Sequence, residues 1–267
     1  MIISGAETAL RIQHNTANMK GGGWYIGFGS TVEVKSGALV LVNENIALQM
    51  GGGLWFYKIP SKIKIDGSGT RVVIQANKAD SVAGGLGLIE GARAIVTAGA
   101  YLNVSNNSCR EFGAGIYLVN KGSRFDVSGQ RTSLLVSSNI VSEGAGGGIA
   151  ISTGSVIRIT SPSVFSNNQA ERGHGGAIAV ADRSSNGGGD LSIDDGNSNC
   201  VSVTLYMESG VSSNPEERIV VNTQPNSQLS SNGLKSSEKW AKFANKKTDP
   251  TYQLDDPGPR RSVQPAG

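Results

Sequence analysis

The stretch Gly51-Gly52-Gly53-Leu54-Trp55-Phe56-Tyr57-Lys58-Ile59-Pro60-Ser61-Lys62-Ile63-Lys64-Ile65-Asp66-Gly67-Ser68-Gly69-Thr70-Arg71-Val72-Val73-Ile74-Gln75-Ala76-Asn77 holds three short apolar runs divided by turn-forming residues. Lys62 to Ile65 alternates polar and apolar side chains, the period-two signature of a strand with one buried face. Pro60-Ser61 and Asp66-Gly67-Ser68-Gly69 supply the turns, because Pro fixes φ and Gly accepts positive φ. The unit therefore reads as three short strands and three turns. Its apolar face is too small to bury itself.

The same unit recurs. An apolar residue three places before an Asn occurs at Ile12/Asn15, Val42/Asn45, Ile74/Asn77, Val104/Asn107, Val136/Asn139 and Phe165/Asn168. The Asn residues are 30, 32, 30, 32 and 29 positions apart. After each comes a Gly-rich step and an apolar strand, as in Gly146-Gly147-Gly148-Ile149 and Gly175-Gly176-Ala177-Ile178. Identical units that cannot bury their own apolar faces do so by stacking on one another. The expected fold is all-β, a right-handed parallel β-helix of about six coils, roughly 30 residues and three strands per coil, with strands about 4.8 Å apart. Val32/Val34, Ile63/Ile65, Ala94/Val96, Phe125/Val127 and Ile157/Ile159 should point inward. Asn15, Asn45, Asn77, Asn107, Asn139 and Asn168 should form a structural ladder, each amide bonding to those above and below.

This pattern explains a composition that otherwise resembles low complexity. Gly makes up 37 of 267 residues, yet it does not recur every third position and there are only 8 Pro, so collagen is excluded. No apolar stretch approaches the roughly 18 residues of a membrane-spanning helix. The net charge is +3, and seven Lys/Arg against four Asp/Glu in residues 235–267 account for all of it. A neutral body gives no electrostatic reason to expect nucleic acid as a partner.

Phe165-Ser166-Asn167-Asn168 followed by Gly175-Gly176-Ala177-Ile178 resembles the FxxN and GGA(I/L/V) repeats of the chlamydial polymorphic outer membrane proteins, autotransporters with β-helical passenger domains. Looser copies, such as Val136-Ser137-Ser138-Asn139 with Gly146-Gly147-Gly148-Ile149, extend the resemblance over residues 12–180. Similar repeats occur in surface or secreted proteins of microbial eukaryotes. The resemblance implies an adhesin-like module at the cell surface, the outer membrane or outside the cell, with a host or cell-surface protein or glycan as partner. Two alternatives stand beside it: a polysaccharide lyase or glycoside hydrolase of the pectin-lyase-like type, and a spacer fragment of a longer repeat protein.

A catalytic reading needs clustered carboxylates. The outward acids of the second strand, Glu33, Asp66 and Asp126, read instead as surface charges, with Glu33 beside Lys64 and Asp126 beside Arg158 as cross-strand pairs. His14 and His174 lie about five coils apart, so they cannot share a site. No catalytic residue and no cofactor is expected. The loop around Asp190, Asp194 and Asp195 offers oxygen ligands for Ca²⁺ but has no known calcium-loop spacing, and a turn-rich loop is the plainer reading.

Two outward columns are candidates for binding. Tyr25, Trp55, Tyr57 and Tyr117 on the first strand present rings that suit sugar faces. Lys62, Arg93 and Arg124 place three cations in adjacent coils, which suits an anionic group.

Residues 1–210 should form the solenoid and 211–234 an irregular terminal coil or cap, echoed in Val211/Asn214 and Leu229/Asn232. Residues 235–267 should form a short helix near Ser237–Lys247 and a disordered tail. The first residues lack a secretory signal pattern, which fits a chain that starts inside a longer protein. Cys109 and Cys200 are about three coils apart, some 14 Å, beyond the roughly 7 Å between Cα atoms that a disulfide tolerates. Both are expected to be free thiols.

Overall fold

Coil two shows how the repeat closes. Leu54–Tyr57, Lys62–Asp66 and Arg71–Gln75 are strands, as the alternation predicts. A fourth strand of two residues, Lys78–Ala79, follows the bend. Each coil therefore has four strands where three were expected. The computed structural model describes residues 1–172, 175–181, 190–194, 205–208 and 219–222, and every strand pairing among them is parallel to the next coil. The strands stack into four sheets, here numbered in the order a coil visits them from its Gly step. They have 7, 8, 6 and 6 strands. Among the described residues there is no helix.

Asp190–Asp194 was expected in a loop. It is a strand of sheet two, with Ile157 opposite Leu191 and Ile159 opposite Ile193. Leu205–Glu208 joins sheet one and Ile219–Asn222 joins sheet two, so coil-like pairing continues past the sixth ladder Asn. Asp195, His174, Cys200, Val211/Asn214, Leu229/Asn232 and the tail with its expected helix lie outside the described residues.

The core runs along the axis as columns. Val34, Ile65, Val96, Val127 and Ile159 of sheet two face Val42, Ile74, Val104, Val136 and Phe165 of sheet three, all buried. Each Leu- or Ile-sized side chain removed from water contributes about 1.5–3 kcal/mol. The short fourth strand places Ala47, Ala79, Cys109 and Val141 inward beneath the Gly step. Space there is tight: a Cβ on Gly52 would sit 2.4 Å from the carbonyl oxygen of Lys78, and Gly51 has φ +68°. In coil two, close approach therefore favours Gly at the second place of that step and backbone conformation favours it at the first, whereas coil three carries Ala83 (φ 58°) at the first place and coil four carries Ala114 at the second.

The Asn ladder holds the sharpest bend. Asn77 donates from Nδ2 to Oδ1 of Asn107 at 3.0 Å, and its backbone N–H donates to the same oxygen at 3.0 Å. Its second amide proton goes to the Val42 carbonyl at 3.0 Å. The pattern repeats from Asn15 to Asn168, so inside the ladder each amide uses both protons and both acceptor positions. The residue before each Asn (His14, Glu44, Ala76, Asn106, Ser138, Asn167) is left-handed, with φ between 53° and 58°. That conformation costs about 1 kcal/mol for an L-residue, and the ladder's hydrogen bonds offset it.

Hydroxyls close two further corners. Ser61 and Ser123 each donate to a carbonyl four residues back and accept an N–H from Gly29 and Gly91 of the preceding coil. Thr70 and Thr132 accept from Gly37 and Gly99 in the same way at the next corner. Buried turns thus keep their backbone donors satisfied.

Candidate functional site

Sheet one is where the outer surface departs from a flat sheet. Tyr25, Trp55, Gly87, Tyr117 and Ala150 form one outward column in register, and Gly27, Tyr57, Ile89 and Val119 form another. The alternation places them outward, as expected. Outward is not the same as exposed here. Trp55 is only 2% exposed, whereas Tyr25 is 40% exposed and Tyr57 and Tyr117 are half-buried.

The cause is the corner that precedes the Gly step. Lys20, Met50, Val82, Phe112 and Ala145 bridge from coil to coil as a single column. Met50, Val82 and Phe112 pack on Trp55, Ile89 and Tyr117, giving an apolar cluster outside the solenoid and separate from its core. Trp55 leans over Gly87, where a Cβ would come within 2.4 Å of Cε3 of the indole. Coil three thus gives up its own side chain at this position to seat the ring from coil two. The Trp55 Nε1–H is buried with no hydrogen-bond partner.

Between the corner column and the sheet runs a groove of about 330 Å³. Its apolar walls include Tyr57, Phe112 and Tyr117, and Lys20, Glu90 and Glu111 supply its charges. Phe112 and Tyr117 stack with ring centroids 6.2 Å apart. The Tyr57 hydroxyl donates to the Glu90 carboxylate at 3.0 Å. The Lys20 ammonium sits 5.8 Å from the ring centres of both Trp55 and Tyr57. Beyond this groove the aromatic surface continues through Tyr25 and Phe28, which lie 6.5 and 6.0 Å from Tyr57. Phe28 is 75% exposed, and the Lys58 ammonium lies 5.7 Å from its ring and 5.1 Å from that of Tyr57. Burial, followed by the neighbouring Tyr57, pushes the Tyr25 phenol above its ordinary pKa.

Sequence reasoning named four of these residues and missed Lys20, Phe28, Glu90, Glu111 and Phe112. The corner column was readable, because Lys20, Met50, Phe112 and Ala145 each sit immediately before a Gly, and Val82 holds the matching place before Ala83-Gly84-Gly85. What the sequence does not display is that this corner is concave.

The cationic column is formed in register: Lys62 lies opposite Arg93, and Arg93 opposite Arg124. Arg93 is exposed, while Arg124 is tied to Asp126 at 2.6 Å, a bond that raises the guanidinium pKa. The ion pairs of this face do not run across strands as expected, although Glu33 and Lys64 are register partners, as are Asp126 and Arg158. They run along one strand: Glu33 with Lys35 at 3.5 Å, Asp66 with Lys64 at 3.2 Å, and Asp126 with Arg124. Residues two places apart on one strand share the same outward face, and the flexible Lys or Arg side chain reaches along the strand to the carboxylate.

His14 pairs with Glu44 of the next coil at 3.2 Å. Among the described residues no three His, Cys, Asp or Glu side chains gather as a metal site would require. No described helix is long and apolar enough to cross a membrane. Cys109 is free and buried, and desolvation pushes its thiol pKa up to about 12.

A family model described as a right-handed beta helix region matches residues 2–194. No curated protein and no solved structure matches the chain.

Proposed function

This chain belongs to the right-handed β-helix family, and on that premise we propose that it works as a non-catalytic, adhesin-like surface solenoid whose first sheet holds a glycan. The observation that carries the reading is the groove of about 330 Å³ on the outside of sheet one, walled by Tyr57, Phe112 and Tyr117. Such a volume matches a small-molecule site, and aromatic faces suit the C–H faces of sugars. The resemblance of the FxxN and GGAI steps to chlamydial passenger domains supports a location at the cell surface or outside the cell. It also supports a host or cell-surface glycan as partner.

The test is a glycan array probed with the full chain and with the Tyr57→Ala/Tyr117→Ala double variant. Trp55 is left intact because its ring supports the corner. Binding lost in the variant supports the reading. Equal binding by both proteins removes the aromatic groove from the account.

A second reading, a polysaccharide lyase or glycoside hydrolase, is favoured by one fact: Glu90 and Glu111 line the same groove. Release of reducing or unsaturated ends from a bound polysaccharide, lost in Glu90→Gln or Glu111→Gln, would establish it. A bound polysaccharide recovered uncut would exclude it.

A further inference from the structure

We infer that Phe28 and Tyr57 form the corner of an aromatic cage that takes a quaternary ammonium group, such as the trimethylammonium of a choline head group. The site shares Tyr57 with the groove, but Tyr25, Phe28 and Lys58 lie outside the groove's lining. It stands independently of the glycan reading.

The backbone sets the walls. Phe28 and Lys58 occupy the corner that follows the sheet-one strands Trp24–Gly27 and Leu54–Tyr57, and both are left-handed there, with φ 55° and 67°. The later coils place Glu90, Asn120 and Thr153 at the same corner, also left-handed. The conformation therefore belongs to the fold, and the aromatic side chain is particular to coil one. The Phe28 N–H donates to the Tyr57 carbonyl at 3.2 Å, which holds the two residues side by side. Their rings stand at 83° with centroids 6.0 Å apart. Tyr25 extends the wall. Its ring lies over Gly27, where a Cβ would come within 3.0 Å of Cε1, and it sits 6.5 Å from Tyr57 at a tilt of 43°. Phe28 is 75% exposed, so the corner is open to a ligand from outside.

A cation already marks the place. The Lys58 ammonium lies over both rings, 5.7 Å from the centre of Phe28 and 5.1 Å from that of Tyr57. Both distances fall inside the roughly 6 Å at which a ring quadrupole holds a positive charge. Glu90 adds to the attraction: the Tyr57 hydroxyl donates to its carboxylate at 3.0 Å, and that bond polarises the phenol and makes its ring face more negative. A trimethylammonium group displaces Lys58 for reasons of hydration. A primary ammonium is compact and strongly hydrated, and it loses water by sitting on rings. Methyl groups instead bring apolar surface for the rings to bury. Lys58 is exposed on a flexible stem, so its ammonium swings back into water. One cation replaces another, and no net charge is added at the rings.

Nuclear magnetic resonance of the full chain, titrated with choline chloride against matched sodium chloride, tests this. The Phe28 and Tyr57 amide signals should shift with a Kd on the order of 1–10 mM. The uncharged carbon isostere of choline, 3,3-dimethylbutanol, should bind at least about 5-fold more weakly, because it keeps the shape and lacks the charge. Phe28→Ala, a change at an exposed side chain, should weaken choline at least about 3-fold, and Lys58→Gln should tighten it about 2-fold or more by removing the competitor. Sedimentation with phosphatidylcholine vesicles distinguishes the source of the group. Co-sedimentation that free choline reverses supports a lipid-borne head group, and choline binding without vesicle binding supports a soluble one. Choline without effect up to about 50 mM, equal binding of the isostere, or unchanged affinity in Phe28→Ala overturns the site and leaves the glycan reading standing. Unchanged or weaker choline binding in Lys58→Gln also overturns it, because the ligand would then not be taking the place of that ammonium.

Discussion

Replacing Asn107 by Ala should cost the solenoid several times more than the same change at Asn15. The Asn107 side chain takes part in four hydrogen bonds. Its Oδ1 accepts from the backbone and side chain of Asn77, and its Nδ2 donates to the Ile74 carbonyl and to Asn139, all at 3.0 Å. Truncation leaves the Asn77 N–H and one Asn77 amide proton without acceptors in a site where Asn77 is 1% exposed. Each orphaned buried donor costs about 1–3 kcal/mol, so about 4 kcal/mol is expected for the pair. Asn15 is exposed at the start of the ladder, and its side chain donates one bond, to Asn45 Oδ1. That oxygen keeps the Asn15 backbone N–H, so the loss at Asn15 is about 1 kcal/mol or less. Urea unfolding followed by far-UV circular dichroism reads the difference. With a slope of about 3 kcal/mol per molar, the Asn107→Ala midpoint falls by roughly 1.3 M. Asn107→Leu fills the volume and still leaves the donors orphaned, so it should not recover the midpoint. Equal midpoints for Asn15→Ala and Asn107→Ala, or full recovery by Leu, would refute the ladder as a polar device.

Four further outcomes follow from particular contacts. Gly87→Val places atoms where the Trp55 indole lies, so that ring should be displaced toward water; its emission should shift to the red, and no shift between Trp55→Phe and the double variant should remain. Cys109, with its thiol near 12, should stay unlabelled by a thiol reagent at pH 8 in the folded protein and react once unfolded. Because that pKa is raised above the unfolded value near 9, its contribution to stability is complete below about pH 9 and is lost as pH rises toward 12; stability constant across that window in wild type but falling in Cys109→Ala would contradict the sign. Arg93→Glu puts an opposite charge between Lys62 and Arg124, so the urea midpoint should rise at low salt and the gain should vanish at high salt; no change at low salt would show that the column carries no repulsion.

The fold was readable because each coil repeats the same demands. The Asn every thirty or so residues, the Gly step and the inward Val and Ile all answer to one geometry. The fourth strand was hidden because two residues, such as Lys78-Ala79 or Ser108-Cys109, are too few to show a period. Cys109 nonetheless stands in an inward column otherwise filled by Ala and Val, which explains why a thiol with no redox or metal partner is tolerated there. The site was only half legible. Alternation gives the side of the sheet a residue occupies, and so it placed Trp55 outward. Whether the outside is open depends on how the neighbouring corner folds back, a property of the whole cross-section. The charge pairs show a similar limit. The repeat placed Glu33 beside Lys64, but side-chain reach within one strand decided in favour of Lys35.

The most direct measurement is a crystal structure of the full chain grown with whichever oligosaccharide binds most tightly. Sugar bound in the sheet-one groove against Tyr57, Phe112 or Tyr117 is the expected result. Sugar found only elsewhere, such as over Lys62, Arg93 and Arg124 on sheet two, with the sheet-one groove empty, would contradict it.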